Sequence, residues 1–340
     1  MPTIKDVARE AGVSIATVSY VLNDKTATIS EATRNRVWEA VARTGYRPNA
    51  TARNLRSRQS HLIGYAWHKV PKEQVSTVLD QFVDALARSA ELAGYHIMTF
   101  IYSPDDPVPV YDELIRTGRV DAFVVGNTTR DDPRVKFLIE RQFPFVSFGR
   151  ANDQWDFQWV DTDNERGTRD AVDYLVSLGH RRIAMAAWPE ESLSGSFRVE
   201  GYFEGLRRAG IESTPANLIR GLNTELAGHE ALAAWCALPA DERPTAIVAI
   251  SDLIAIGIMN EAEQRGLVVG RDISVIGFDD APLSQYLHPA LTTLQHPIEQ
   301  IGEALIAMLD DAIKGADSPQ RHLLLPPRLI IRASCGPAPQ

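Results

Sequence analysis

The sequence predicts two structural classes in one chain: a small all-α helix-turn-helix headpiece, followed by an α/β two-lobed domain built on parallel sheets. Three observations predict it. The first 45 residues show apolar spacing of helical period, broken by cap residues and glycine stops. From Leu62 onward, short apolar strands alternate with amphipathic helices across tight Gly turns, the pattern of βαβ units. The strands are too many for one open sheet of usual size, so two lobes are expected, split near Val160 to Asp163.

The headpiece opens with Thr3-x-x-Asp6, a hydroxyl cap with a carboxylate in the first turn. Ile4, Val7, Ala8 and Ala11 give that helix one apolar face, and Gly12 ends it by taking a left-handed conformation. Ser14 caps a second helix with apolar Ile15, Val18, Val21 and Leu22. Two short helices about a Gly turn form a helix-turn-helix, whose second helix can enter the DNA major groove. Ser30 caps a third helix through Arg34, Val37, Trp38, Ala40 and Val41 to Gly45, enough to close a three-helix core. After it comes the basic, small-residue-rich run TGYRPNATARNLRSRQS, with Pro48-Asn49 placed to begin a short helix.

TIKDVAREAGVSIATVSYVLN and GYRPNATARNLRS together resemble the headpiece and hinge of the LacI/GalR family of bacterial repressors. The resemblance implies a DNA-binding headpiece at 1–47, a hinge helix at 48–61 and an effector-binding and dimerisation domain at 62–340. It also implies that Leu55 wedges between base pairs in the minor groove, spending a few kcal/mol on unstacking to gain bent, better-contacted DNA.

Charge points the same way. Residues 1–60 carry ten Lys/Arg against five acids, a balance of +5, while the whole chain is −9, so the remainder carries −14. A basic head on an acidic body confines the phosphate-attracting field to one end. At 340 residues the chain has room for two or three domains and a large core. No apolar run approaches the roughly 18 residues needed to cross a bilayer. The first residues form a helix cap where a signal peptide would have a basic-then-apolar run, so no membrane association and a cytoplasmic location are expected. The only cysteines, Cys236 and Cys335, lack metal-ligand spacing and read as free buried thiols.

In the body, LIGYAW reads as a buried strand, followed by a helix around Val78 to Leu92 and the strand YHIMTFIY. VDAFVVG, FPFVSFG, IAMAAW, TAIVAIS and ISVIGFD continue the alternation. The family resemblance extends over this region and implies a periplasmic-binding-protein-like fold. Its returning crossings imply a first lobe of about 62–161 and 291–318 and a second of about 162–290 and 319–335. No dinucleotide fingerprint, phosphate loop or nucleophile elbow is present, and the histidines are scattered. An enzyme, a cofactor and a metal site are therefore not expected.

Ligands of parallel α/β lobes sit off the carboxyl ends of strands. Those ends carry Trp67, His68, Asn127, Arg150, Trp188, Ser251 and Asp279, and Trp155 lies in the connecting loop WDFQW. Arg198, in FRVEGY, resembles the family's arginine on the helix lining the cleft. By that resemblance Arg198 and Asp279 are the strongest effector contacts, one donating to hydroxyls and the other accepting from them. Tryptophan with Arg, Asp, Asn and His suits a carbohydrate; a purine or an amino acid is the alternative. Trp38 and Trp235 fall in helical patterns and are expected in the core.

Three departures from the family stand out. HKVPKEQVS replaces the usual Asn-Pro-Phe-Phe after the first strand. Phe148-Gly149-Arg150 stands where many members have Leu-Asp-Arg, a form resembling regulators of α-glucoside and maltose-type sugars. Tyr20 stands where Arg or His is frequent. The reading is a dimeric, ligand-responsive repressor of a palindromic operator. Ile15, Ala16, Thr17 and Tyr20 would enter the major groove. Asn23, Tyr46, Arg47, Arg53 and Arg56 would hold the phosphate backbone, and the caps Thr3 and Ser14 complete the DNA-facing set.

Overall fold

The structure, a computed structural model, describes residues 2–22, 29–46, 59–67, 77–316 and 320–339. It divides into two compact units, Met1–Ser60 and His61–Gln340.

The first unit holds α1 (Ile4–Ala11), α2 (Ile15–Leu22) and α3 (Glu31–Thr44). Asp6 accepts from the Thr3 amide at 2.9 Å and from the Thr3 hydroxyl at 2.7 Å. Those two bonds hold the Asp6 carboxyl below its ordinary pKa. Gly12 and Gly45 end α1 and α3 with φ of 64°. Val7, Ala8, Ala11, Val18, Val21, Val37 and Ala40 form the buried core between the three helices. Trp38 departs from expectation: it is 49% exposed. It lies one residue, about 100° of helix, beyond buried Val37, outside the face that Val37 and Ala40 share.

The second unit contains two six-stranded sheets. The first sheet is built from β1 (Leu62–Trp67), β2 (His96–Ile101), β3 (Ala122–Val125), β4 (Phe145–Phe148), β5 (Trp159–Thr162) and β11 (His322–Leu325). The second comprises β6 (Ile183–Ala187), β7 (Leu218–Arg220), β8 (Ala246–Ala249), β9 (Ser274–Asp279), β10 (Thr292–Gln295) and β12 (Arg328–Ile330). Their orders are β11-β5-β4-β3-β1-β2 and β12-β10-β9-β8-β6-β7. All pairings are parallel except β10 with β12. Each sheet reverses strand order beside its first strand, the position where open parallel sheets leave a crevice.

The inner strands β1, β3, β4, β6, β8 and β9 are buried along most of their length because helices cover both faces of each sheet. On the first sheet lie α4 (Thr77–Leu92), α5 (Val108–Arg116), α6 (Pro133–Arg141) and α11 (Ile298–Lys314). On the second lie α7 (Asn164–Ser177), α8 (Leu193–Arg208), α9 (Glu225–Cys236) and α10 (Asp252–Gln264).

The chain crosses between lobes after β5, after β10, and between β11 and β12. The last two crossings fall elsewhere than the sequence reading placed them. Thr292–Gln295 belongs to the second sheet, so the return to the first lobe begins at His296, not at Leu291. Residues 322–325, expected in the second lobe, pair with β5 in the first. Both cysteines are free, yet only partly buried. Burial still raises the Cys335 thiol to about 11, and its Sγ donates to the Val275 carbonyl.

Candidate functional site

In the headpiece, the buried Val18 and Val21 fix which side of α2 faces inward, and the opposite side carries exposed Ile15, Ala16 and Tyr20. Ile15 is 44% and Tyr20 50% exposed, so both side chains are open to a partner. Thr17 is half-buried: its amide donates to Ser14 Oγ at 3.0 Å and its hydroxyl lies 2.9 Å from the same atom. Ser14 and Thr3 thus serve first as helix caps at the exposed edge, and Tyr46 packs partly against the headpiece core. Asn23, Arg47, Arg53, Leu55, Arg56 and, in the body, His68 lie outside the described residues.

In the body, a cleft of about 690 Å³ opens at the carboxyl ends of both sheets. That volume suits a disaccharide- or nucleoside-sized ligand. Of the residues predicted from sequence, the structure brings Asn127, Trp188, Arg198 and Asp279 together on its lining. Arg198, on α8, is the most constrained. Its Nε donates to Asn164 Oδ1 at 2.8 Å, its Nη1 to the Ile250 carbonyl, and its Nη2 approaches His296 Nε2 at 3.3 Å. The guanidinium lies 3.5 Å above the Phe278 ring and 5.0 Å from the Trp188 ring. Burial lowers its pKa to about 10 while Asp279, Asp161 and Asp252 pull it back up, so it remains cationic at neutral pH.

Asp279 faces Arg198 Nη1 at 4.0 Å and has φ of 129°, a backbone conformation that costs roughly 1–3 kcal/mol and gathers at ligand sites. Buried Asp252, the first residue of α10, anchors the loop that follows. Its Oδ2 accepts from the Ala281 amide and the Ser284 hydroxyl, and its Oδ1 from the Thr293 hydroxyl. Burial and the nearby Asp279 raise Asp252 to about 7, against the pull of those three donors. The approach requires Gly277 in ISVIGFD: a Cβ there would stand 2.2 Å from Asp252 Oδ1. Asp280 is occupied elsewhere, paired with Arg332 at 2.6 Å.

Four predicted residues are not among the cleft-lining side chains. Trp67 packs against the first lobe's core, and Trp155 against a second apolar cluster of that lobe. Ser251 caps α10 and donates to Asn223 Oδ1 at 2.6 Å, so it supports a lining residue. Arg150 spans the lobes instead: its Nε bonds Asp161 at 3.0 Å and its guanidinium sits 3.4 Å from the Phe197 ring of α8.

The sequence reading missed several lining residues. Asp132 and Arg134 form a buried pair at 2.7 Å, with Arg134 also donating to the carbonyls of Gly126 and Asn127. Asp161, Thr162 and His296 close the floor. Burial raises Asp161, opposed by Arg150, and lowers His296, opposed by Asp279. The strand-end rule would have found these three had it been applied to WVDT and TTLQ as well. Nothing in the spacing marks Arg134. Trp188 keeps a buried indole N–H without a hydrogen-bond partner among the described residues.

A helix-turn-helix unit followed by a two-lobed α/β clamp around a polar-and-aromatic cleft defines a ligand-regulated DNA-binding protein. Residues 3–49 match the lacI family of bacterial regulatory proteins, and residues 172–335 match the periplasmic binding protein-like domain. The HTH-type transcriptional repressor PurR of Klebsiella pneumoniae (strain 342) is 32% identical over 343 residues, spanning 100% of this chain and 98% of its own. Among solved structures, the lac repressor dimer bound to operator and the anti-inducer ONPF superposes with a TM-score of 0.83 at 29% identity, covering 98% of each chain. A CelR–cellobiose complex does so with a TM-score of 0.74 at 28% identity, covering 98% of this chain and 100% of that one. The chain belongs to the LacI family of transcriptional repressors, which bind operator DNA and a small-molecule effector and form dimers.

Proposed function

We propose that this repressor is controlled by an uncharged sugar or glycoside held in the cleft, with Arg198 and Asp279 binding its hydroxyls. One observation carries the reading: the described lining residues include four carboxylates, Asp132, Asp161, Glu191 and Asp279, against two guanidiniums, Arg134 and Arg198. Arg134 is locked to Asp132, and Arg198 is bonded to Asn164 and Ile250 within reach of Asp279. An anionic ligand would meet a lining whose carboxylates outnumber its guanidiniums, one of which, Arg134, is already paired with Asp132. A neutral polyol instead finds donors and acceptors beside Phe148, Trp188 and Tyr65, whose rings can pack against its C–H faces. Cellobiose in the CelR complex is a ligand of this chemistry.

The second reading is a flat heterocycle such as a purine, favoured by the aromatic rings of Phe148 and Trp188 in the lining. Binding would change lobe closure and pass through residues 48–61 to the headpiece, a coupling of about 1–3 kcal/mol. A thermal-shift panel of mono- and disaccharides, their phosphates, purine bases and nucleosides tests the class. A neutral saccharide should raise the melting temperature, since a ligand that binds only the native state stabilises it. A rise with phosphorylated sugars or purines alone would overturn the reading.

A further inference from the structure

His296 is one of eight histidines and sits where the chain leaves β10 to re-enter the first lobe. Its Nδ1 lies 2.8 Å from the Thr162 hydroxyl, at the end of β5, where the chain makes its first crossing. The two residues therefore tie two inter-lobe crossings together through one hydrogen bond. Its Nε2 faces the ligand side: Arg198 Nη2 at 3.3 Å and Asp279 Oδ1 at 3.4 Å. The ring packs on Phe278 at 4.9 Å and is buried. Around it, α8 contributes the charge of Arg198, β9 that of Asp279 and β5 an uncharged hydroxyl. Asp161 and Asp252 act on Arg198 from further off.

We propose that His296 is a positioning residue that keeps Asp279 available to the effector by holding one fixed tautomer, Nδ1–H donating to Thr162 and the Nε2 lone pair accepting from Arg198. This rests on the reading of Arg198 and Asp279 as the effector contacts. A neutral imidazole has one N–H and one lone pair. A guanidinium can only donate, so a hydrogen on Nε2 would collide with the Arg198 N–H. The Arg198 contact at 3.3 Å has hydrogen-bond geometry; the Asp279 contact is almost as short at 3.4 Å and draws on the same Nε2, so the two compete for it. In the opposite tautomer, or in the doubly protonated ring, Nε2–H would turn to Asp279 Oδ1 and occupy the acceptor a ligand hydroxyl needs. That hydrogen would displace the Arg198 N–H, and in the doubly protonated ring it would also leave a second cation beside Arg198 in a buried site. The Thr162 bond links that choice to the hinge, so the tautomer that frees Asp279 is also the one that donates across the crossings.

Long-range proton–nitrogen correlation spectra of the full chain with ¹⁵N-labelled histidine read the tautomer of each ring, with His296 assigned by its loss in His296→Gln. At neutral pH, His296 should show a protonated Nδ1 and an unprotonated Nε2. Asp279→Asn should leave that signature in place, because the ring does not donate to Asp279. Thr162→Val removes the acceptor of Nδ1–H and should shift the ring toward the Nε2–H form. A wild-type ring protonated at Nε2, or a tautomer that switches in Asp279→Asn, overturns the proposal. These spectra need no ligand, so they fail or succeed independently of the saccharide panel.

Discussion

At the scale of single residues, Arg198 shows how much one side chain can organise. It satisfies Asn164 Oδ1 and the Ile250 carbonyl, lies on Phe278 and balances Asp279, all within a buried site. Arg198→Ala would strand those acceptors and leave Asp279 facing an uncompensated pocket. Breaking a buried pair by deleting one partner costs on the order of 3–5 kcal/mol. The variant should therefore melt well below the wild type and lose saccharide binding, while the separately folded headpiece keeps its helices. Chemical denaturation and calorimetry check both effects, and unchanged stability would mean that the buried network contributes little. The role of Arg198 was legible in FRVEGY only through family resemblance. The supporting residues Asn164 and His296 were not, because their importance comes from two distant strand ends meeting in space. Arg150 shows the same limit: its position at a strand end is visible in sequence, but the Phe197 ring it lies against is not.

At the scale of elements, glycines inside helices decide how the second lobe packs. Gly257 of α10 lies against α9, and a Cβ there would stand 1.9 Å from the Glu225 carbonyl oxygen. Gly228 of α9 answers it, its own Cβ position 2.2 Å from the Ile254 carbonyl oxygen. Backbone meets backbone at this crossing, so neither side has a side chain that could move aside. Gly257→Ala gains helix propensity of about 1 kcal/mol yet forces the helices apart, and overpacking of this kind costs about 1–3 kcal/mol or more. A net loss of stability in urea denaturation is the expected outcome; a more stable variant would show that the crossing yields easily. The alternation of strands and helices was readable from apolar runs and Gly turns. The destinations of the last strands were not: TTLQ and HLLL are equally short, and only the order of crossings sends one to each sheet. Headpiece helices were readable almost residue by residue, because their caps and stops are local chemistry; Trp38 escaped because helical spacing tolerates an apolar residue just off the buried face.

At the scale of the whole molecule, charge is partitioned: +5 on residues 1–60 and −14 on the rest. The headpiece must therefore supply the attraction to DNA phosphates against the repulsion of its own body. Each phosphate neutralised releases counterions, so operator affinity should fall with a log–log slope of about −0.9 per contact. A dimer with several cations per headpiece should lose on the order of 10³-fold or more between 50 and 200 mM salt. Tyr20→Ala acts on a different term. It removes an exposed, uncharged side chain of α2, so it should reduce discrimination between operator and random DNA by about 1–3 kcal/mol while leaving the salt slope unchanged. Fluorescence anisotropy over a salt series, with the full chain and both DNAs, separates the two. A flat salt dependence would remove the headpiece as the DNA reader, and a slope that changes in Tyr20→Ala would place that residue on the backbone instead of the bases.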